Sequence, residues 1–533
     1  MSRHQHKPEL FDSSRAPRAV PYARIAGSIL VLAVVGVAVT FRDFGITWDE
    51  YDQHVYGQKL LDYYASGLRD TSAFTYVNLY FYGGLFDMLA AVLVKVLPFG
   101  IYETRHLLGG LIGVAGLWGA FKLTEEIAGP RAALLALIML LATPLLVGHS
   151  FVNPKDAPLA WMSMWATWFG CRMIRTAPAI ARGTIIGFGF AFGAVMSQRI
   201  IGGHIGAWLA IIALAWPALD RAAGPSARRV IVAGLLAAPI AVVVMVAFWP
   251  WSAQAPGNVL AALTEFSAFH WTGTMLWNGQ LVPSSDIPAG YVPRLLLAQL
   301  PDVVLFGLCA GLAGLVMWRP RMNAATMATV FVVLTVAAPM AIAMAVQPTL
   351  YNGLRHFLFV VPPLTVLAAI GLERSLTKLI AADRRRPAIG LMAIVGVGVA
   401  MGFADSIRLH PYQYVSFNRL TGGIPGAAPL FELDYWGASL AELSRDVAAT
   451  VAVDPRLSRQ QSVAVFVCGR VDSASRVLSL PFKVVEDLAQ ADVYLGLEVY
   501  PCTNRYKISG DLIGQVRRDG VALSSAYRLR RSE

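Results

Sequence analysis

Gly45-Ile-Thr-Trp-Asp-Glu-Tyr-Asp52 begins a few residues after the first long apolar run, Arg24–Phe41, and runs directly into Gln53 and His54. Three carboxylates, Asp49, Glu50 and Asp52, stand here beside Trp48 and His54. At the edge of an apolar segment, that much ionisable charge carries a desolvation cost that a purely structural segment avoids. The stretch reads as a working site at a membrane surface, and the rest of the chain decides its kind.

Of the 533 residues, 56% are hydrophobic and 14% charged, the balance of a polytopic α-helical membrane protein. The formal net charge of +11 does not point to nucleic acid. Its basic residues fall in short clusters between apolar runs, the positive-inside pattern, and not on one face of a soluble domain. About a dozen runs of spanning length follow one another from Arg24 to Phe403. With the basic tail 1–23 in the cytoplasm, the clusters Arg172/Arg175/Arg182, Arg221/Arg228/Arg229, Arg319/Arg321 and Arg374/Lys378/Arg384/Arg385/Arg386 share that side only if one early run does not cross. Tyr80–Pro98, which carries Asp87 and Lys95, is that run, an interfacial helix inside a first outer loop 42–104. About eleven spans remain, with a second outer loop 148–158, a long outer loop 250–294 and an external C-terminus. The first run is an anchor: a polar segment precedes it, and Gly36-Val-Ala-Val-Thr40 is a poor cleavage site. The reading places the protein in a bacterial inner membrane, its C-terminal part in the periplasm.

The second outer loop contains Asn153-Pro-Lys-Asp156, where two X-Pro steps, Asn153-Pro154 and Ala157-Pro158, enforce a turn with Lys155 and Asp156 at its tip. A helix start capped by Asp156 would account for the carboxylate. It would not account for Lys155 on a face where positive charge is otherwise avoided. The same anomaly recurs at Arg199, at Arg355-His356 within Tyr351-Asn-Gly-Leu-Arg-His356, and at Arg105-His106. Any one of these cations reads equally well as snorkelling to lipid headgroups. As a set beside acidic outer motifs they point to an anionic ligand, a phosphate held by Arg forks and Lys point charges. Lys155, Arg199, Arg355 and His356 are the candidate phosphate ligands. Trp48, Asp52, His54, Asn153, Tyr351 and Asn352 are the candidate substrate contacts around them. The long loop, with Trp271, Trp277 and Tyr291, suits a lid or sugar-stacking surface, or an interfacial aromatic belt. Glu265 and His270 lack metal-ligand spacing.

From 405 to 533 the chain turns polar and mixed, the signature of a small periplasmic α/β domain. Ala438–Val451 reads as an amphipathic helix, Ser462–Val467 and Ala491–Val499 as strands. Cys468 and Cys502 each follow a strand, and an oxidising compartment favours a disulfide between them. The junction His410–Asn418 and Phe431–Gly437 reads either as part of an acceptor site or as packing of this domain onto the membrane surface.

The ordered set Trp48-Asp49-Glu50, Asn153-Pro-Lys-Asp156 and Tyr351-Asn-Gly-Leu-Arg-His356 resembles the GT-C superfamily of membrane glycosyltransferases over residues 24–375. Within it the chain looks like the protein mannosyltransferase and lipid A aminoarabinose transferase branch. The resemblance implies a transmembrane catalytic domain, 24–404, and inverting transfer of a sugar from a polyprenyl-phosphate-linked donor to an acceptor lipid, glycan or protein. By position in that family, Asp49 is the general base, Glu50 orients a substrate and Asp156 supports the acceptor side. Asn153-Pro-Lys-Asp156 stands where the metal-dependent oligosaccharyltransferases carry a more acidic motif, so no cofactor is implied and a divalent metal is disfavoured. Independently, a departing phosphate needs cations and no acid, which Lys155, Arg199 and Arg355 supply. The absence of a phosphate-cradling Gly-rich loop fits a lipid-borne donor, its prenyl tail held by the spans. The competing class is a transporter or lipid-linked sugar flippase. Its charges would lie mid-span, whereas most of the notable ones here lie at span ends.

Overall fold

The computed structural model of the chain describes residues 20–268, 271–317, 323–479, 481–506 and 508–530. His270, Arg319, Arg321 and most of the N-terminal tail lie outside them. The described part is a helical membrane bundle with a small sheet domain at its C-terminal end.

Seven described helices are long and apolar enough to cross a membrane, and nine if each of two bent pairs counts as one span. The count of about eleven is therefore not reached. The two missing runs are the helix Arg182–Met196, of only 15 residues, and the helix Asp156–Thr176, whose polar and charged residues dilute its apolar stretch. The bent pairs turn at prolines: Pro130–Leu141 meets Pro144–Val152 at 65°, and Tyr291–Gln299 meets Asp302–Gly314 at 114° across Pro301. The run containing Asp87 forms the helix Leu85–Val96. Its 12 residues span only about 18 Å, too short to cross.

At the centre of the bundle the helix Ile101–Ala128 presents a stripe of glycines to the helix Asp156–Thr176. A Cβ at Gly116 would strike the Trp161 side chain, so only glycine lets the two backbones approach this closely. That approach fixes the turn before Asp156 against the bundle core. Trp161 Nε1 donates to Ser150 Oγ at 2.9 Å, tying the helix Asp156–Thr176 to the helix Pro144–Val152.

The C-terminal domain holds a five-stranded sheet in the order Phe482–Val485, Val463–Cys468, Val493–Leu497, Val521–Leu529, Gly510–Arg518. The first three strands are parallel and the last two join antiparallel through Asp519-Gly520, both at positive φ as a tight hairpin turn requires. The helix Leu440–Val453 covers one face. Cys468 and Cys502 are joined by a disulfide. The domain docks on the stretch Gly45–Asp52: Ser473 Oγ donates to the Ile46 carbonyl at 2.8 Å, Arg470 reaches Asp52 at 2.9 Å, and Arg476 lies over the Tyr51 ring.

Candidate active site

Asp49 is the N-cap residue of the helix Glu50–Ala65, yet its carboxylate makes no capping bond. It turns toward Lys155 Nζ at 3.4 Å and Arg355 Nη1 at 3.3 Å, leaving the side chain 27% exposed. Glu50 instead reaches back to the loop before the helix: its Oε2 accepts from Thr47 N at 2.8 Å and Thr47 Oγ1 at 3.1 Å. Its other oxygen lies 2.9 Å from His106 Nε2. Adjacent residues at a helix start point about 100° apart, so one carboxylate faces the site and the other the bundle interior. Glu50 is 1% exposed and is not brought to the cluster.

Asn153, and not Asp156, holds the second turn. Its Oδ1 accepts from the backbone N–H of Lys155 at 3.1 Å and of Asp156 at 2.8 Å, and its Nδ2 donates to Asp156 Oδ2 at 3.2 Å. Asn153 is buried, with both ends of its amide engaged inside the turn. Gln198 Nε2 donates to the carbonyls of Pro154 and Lys155, clamping the turn from the next loop. With capping done by Asn153, the Asp156 carboxylate is available to cations. It pairs with Arg199 and has Arg355 Nη1 at 3.9 Å.

Asp49, Asp156, Lys155, Arg199 and Arg355 thus converge from four separate segments, three cations against two carboxylates. Tyr82 lies under two of them: Lys155 Nζ is 5.1 Å and the Arg199 guanidinium 5.2 Å from its ring centroid. Arg355 packs between Tyr351 (4.8 Å) and Trp436 (5.2 Å), and its buried Nε has no hydrogen-bond partner among the described residues. Burial would raise the Asp49 carboxyl, but Lys155 and Arg355 outweigh it and hold it below the usual carboxylate range. Lys155 is kept charged by Asp49 and Tyr82 against the burial that would discharge it.

Behind Lys155 stands a second polar layer. With its amide oriented to satisfy both ends, Gln53 accepts from Lys155 Nζ at 3.2 Å and donates to Asp87 at 2.5 and 3.0 Å. Asp87 in turn receives Arg105 Nη2 at 2.7 Å. Burial lifts the Asp87 carboxyl to about 6, less than it would without Arg105. Asp87 and Arg105 were visible in the sequence as charges out of place. Gln53, Gln198 and Tyr82 carried no such signal, because a neutral polar or aromatic residue at an interface is unremarkable in composition.

The remaining expected contacts divide. Trp48, Asp49, Tyr351, Asn352 and Arg355 line a cavity of about 780 Å³ that also includes Trp271, Tyr435 and Trp436. His356 packs edge-to-face on Tyr351 and makes no ion pair in the cluster. His54 is buried in the helix Glu50–Ala65, away from the cavity, and burial together with Arg105 and Arg476 lowers it to about 4. Asp52 faces Arg470 of the C-terminal domain and accepts from Tyr76 at 3.3 Å. Both partners of the Asp52–Arg470 pair are 31% exposed. Asp52→Asn is therefore expected to cost about 1 kcal/mol of stability or less, measured by thermal unfolding in detergent, with the rate of transfer unchanged. Among the described residues no three His, Cys, Asp or Glu side chains converge as a metal ion's ligand set requires.

Glu432 also lines the cavity and was not singled out in the sequence. Burial pushes its carboxyl up to about 8, partly offset by the Leu276 backbone. A carboxyl whose titration is raised on folding costs stability wherever the unfolded chain would ionise it and the folded one would not. Stability is then lost as pH rises from the ordinary Glu range through about 8. Glu432→Gln, which cannot ionise, is expected to remove that loss, so the difference in Tm between variant and wild type widens between pH 6 and pH 9.

A helical bundle with a small terminal sheet domain is a fold that this chain shares with solved structures. Among solved structures the chain is similar to ArnT from Cupriavidus metallidurans in the apo state, with a TM-score of 0.52 and 16% identity over 95% of this chain and 97% of that one. ArnT from the same organism bound to undecaprenyl phosphate aligns with a TM-score of 0.51 and 16% identity, over 95% of this chain and 98% of that one. The oligosaccharyltransferase AglB from Archaeoglobus fulgidus aligns over 84% of this chain and 63% of that chain, with a TM-score of 0.49 and 13% identity. No protein-family profile and no curated protein matches the sequence.

Proposed function

We propose that this membrane protein is an inverting glycosyltransferase that moves a sugar from a polyprenyl-phosphate-linked donor to an acceptor at the periplasmic face of a bacterial inner membrane, with domain limits at 24–404 and 405–533. The observation that carries the reading is the convergence of three cations on two carboxylates beside a cavity of about 780 Å³. The binding of undecaprenyl phosphate by the similar ArnT supports a lipid-phosphate carrier.

In this reading Lys155, Arg199 and Arg355 receive the donor phosphate, and the buried Arg355 Nε offers it a further donor. Asp49, at the cavity wall, takes the proton of the acceptor nucleophile. The acceptor atom then forms its bond to the anomeric carbon while the bond from that carbon to the phosphate oxygen breaks on the opposite side. The electron pair leaves with the phosphate, whose charge the three cations stabilise. Glu50 shapes the loop that presents Asp49 and does not touch substrate. Asp156 holds Arg199 and Arg355 in place.

Incubation of the purified protein with a panel of polyprenyl-phosphate sugars tests the proposal. The expected result is binding of a polyprenyl-phosphate compound by thermal shift, weakened by Lys155→Ala, with consumption of one donor. A protein that binds none of the panel would defeat it.

A further inference from the structure

We infer that the acceptor is a non-anionic glycan of more than one sugar residue, lying in a two-chambered cleft, and that Glu432 at the junction of the chambers selects it. The inference rests on the glycosyltransferase reading and adds the acceptor class, which that reading leaves open.

The chamber at Asp49 does not end at the domain boundary. A second cavity of about 510 Å³ shares Glu432, Val499 and Tyr500 with it and continues past Glu498 and Thr503 to the strand Val521–Leu529. Each chamber alone is large enough for a small-molecule ligand. The two chambers adjoin at Glu432, Val499 and Tyr500, and their combined volume exceeds what one sugar ring fills, with Asp49 lining the first of them.

The walls state the chemistry. Trp48, Trp271, Tyr351, Tyr435, Trp436 and Tyr500 line the first chamber. Such rings offer flat faces to the C–H surfaces of sugars and carry few charges of their own. Among the described lining residues of both chambers, Arg355 is the lone cation, and it already faces Asp49 and Asp156. The carboxyls are Asp49, Glu432 and Glu498, the last of which accepts from Ser525 Oγ at 2.5 Å. A phosphorylated or carboxylated acceptor reaching the second chamber would meet the Glu498 carboxyl with no cation among that chamber's described lining residues, and like charges in a desolvated cleft repel strongly. Sugar hydroxyls meet no such penalty. The Glu432 carboxyl keeps its proton to about pH 8 and both donates to and accepts from hydroxyls at neutral pH.

Trp48, Trp271 and Trp436 report occupancy directly. The full chain in detergent is titrated with neutral linear tetrasaccharides of mannan, glucan, galactan, arabinan and chitin type. Controls are the matching monosaccharides, a phosphorylated form of the best tetrasaccharide and a serine-rich peptide. A tetrasaccharide is expected to quench tryptophan fluorescence with at least about tenfold higher affinity than its monosaccharide and than its phosphorylated form. Glu432→Gln retains that binding and Glu432→Leu weakens it about tenfold. Equal or tighter binding of the phosphorylated glycan, preference for the peptide, indifference to Glu432→Leu, or no glycan binding overturns the inference. Thermal shift with undecaprenyl phosphate on the same samples separates the two failures. If that lipid binds and the glycans do not, only the acceptor class is wrong; if neither binds, the glycosyltransferase reading falls as well.

Discussion

Asp49→Asn is expected to lower the rate of sugar transfer by about 10²–10⁴-fold, the contribution of a well-placed general base. Asn keeps the shape of the side chain and can still accept a hydrogen bond from Lys155 or Arg355, so the fold should survive with a Tm close to wild type. The loss should appear in kcat. Donor binding should hold or tighten, because Lys155 and Arg355 no longer share their charge with a carboxylate 3.4 and 3.3 Å away. Transfer by the variant at the wild-type rate would remove Asp49 from the mechanism. The pH profile offers a second check. Because the two cations hold Asp49 below the usual carboxylate range, no acid limb belonging to Asp49 should appear above about pH 4 in the donor-free enzyme.

Arg355→Ala should be the most damaging change to the cation set. Arg355 reaches both carboxylates, Asp49 at 3.3 Å and Asp156 at 3.9 Å, and its removal leaves two acidic groups facing each other with less compensation. Breaking such a buried pair costs about 3–5 kcal/mol of stability, visible as a lowered Tm. The departing phosphate also loses a fork-shaped donor, worth about 10²–10³ in kcat. Arg355→Lys is the informative companion. A point charge restores part of the stability but cannot face two oxyanions and stack between Tyr351 and Trp436, so kcat should remain depressed while Tm recovers. Recovery of both would reduce Arg355 to a simple counter-charge.

Much of this arrangement could be read from the chain before any coordinates, for a physical reason. Charge at the end of an apolar run is costly, so Asp49, Lys155, Asp156, Arg199 and Arg355 stood out against their surroundings. What could not be read was direction. Asp49 and Glu50 are neighbours in sequence, yet one faces the cavity and the other accepts from Thr47 within the bundle. Asn153, which reads as a substrate contact, is the clasp of its own turn. Asp52 belongs to the seam with the C-terminal domain. The span count of about eleven is not confirmed by length and apolarity at two places, a 15-residue helix and a helix whose polar residues dilute its apolar stretch. Glu432 stood out only as one residue of the Phe431–Gly437 junction, because a single carboxylate in a mixed loop carries no distinct signal until the loop is folded against Leu276.

The ion pairs of Asp49 carry one more consequence under the proposed reaction, and it concerns the order of events. Lys155 and Arg355 are the groups that keep Asp49 a weak base, and they are also the groups assigned to the incoming phosphate. They cannot neutralise both at full strength. Arrival of the lipid-linked donor therefore draws their charge away and makes Asp49 more basic at the moment when there is something to transfer. Before that moment, water or a stray hydroxyl beside Asp49 meets a carboxylate too weak to activate it. The site is armed by its own donor.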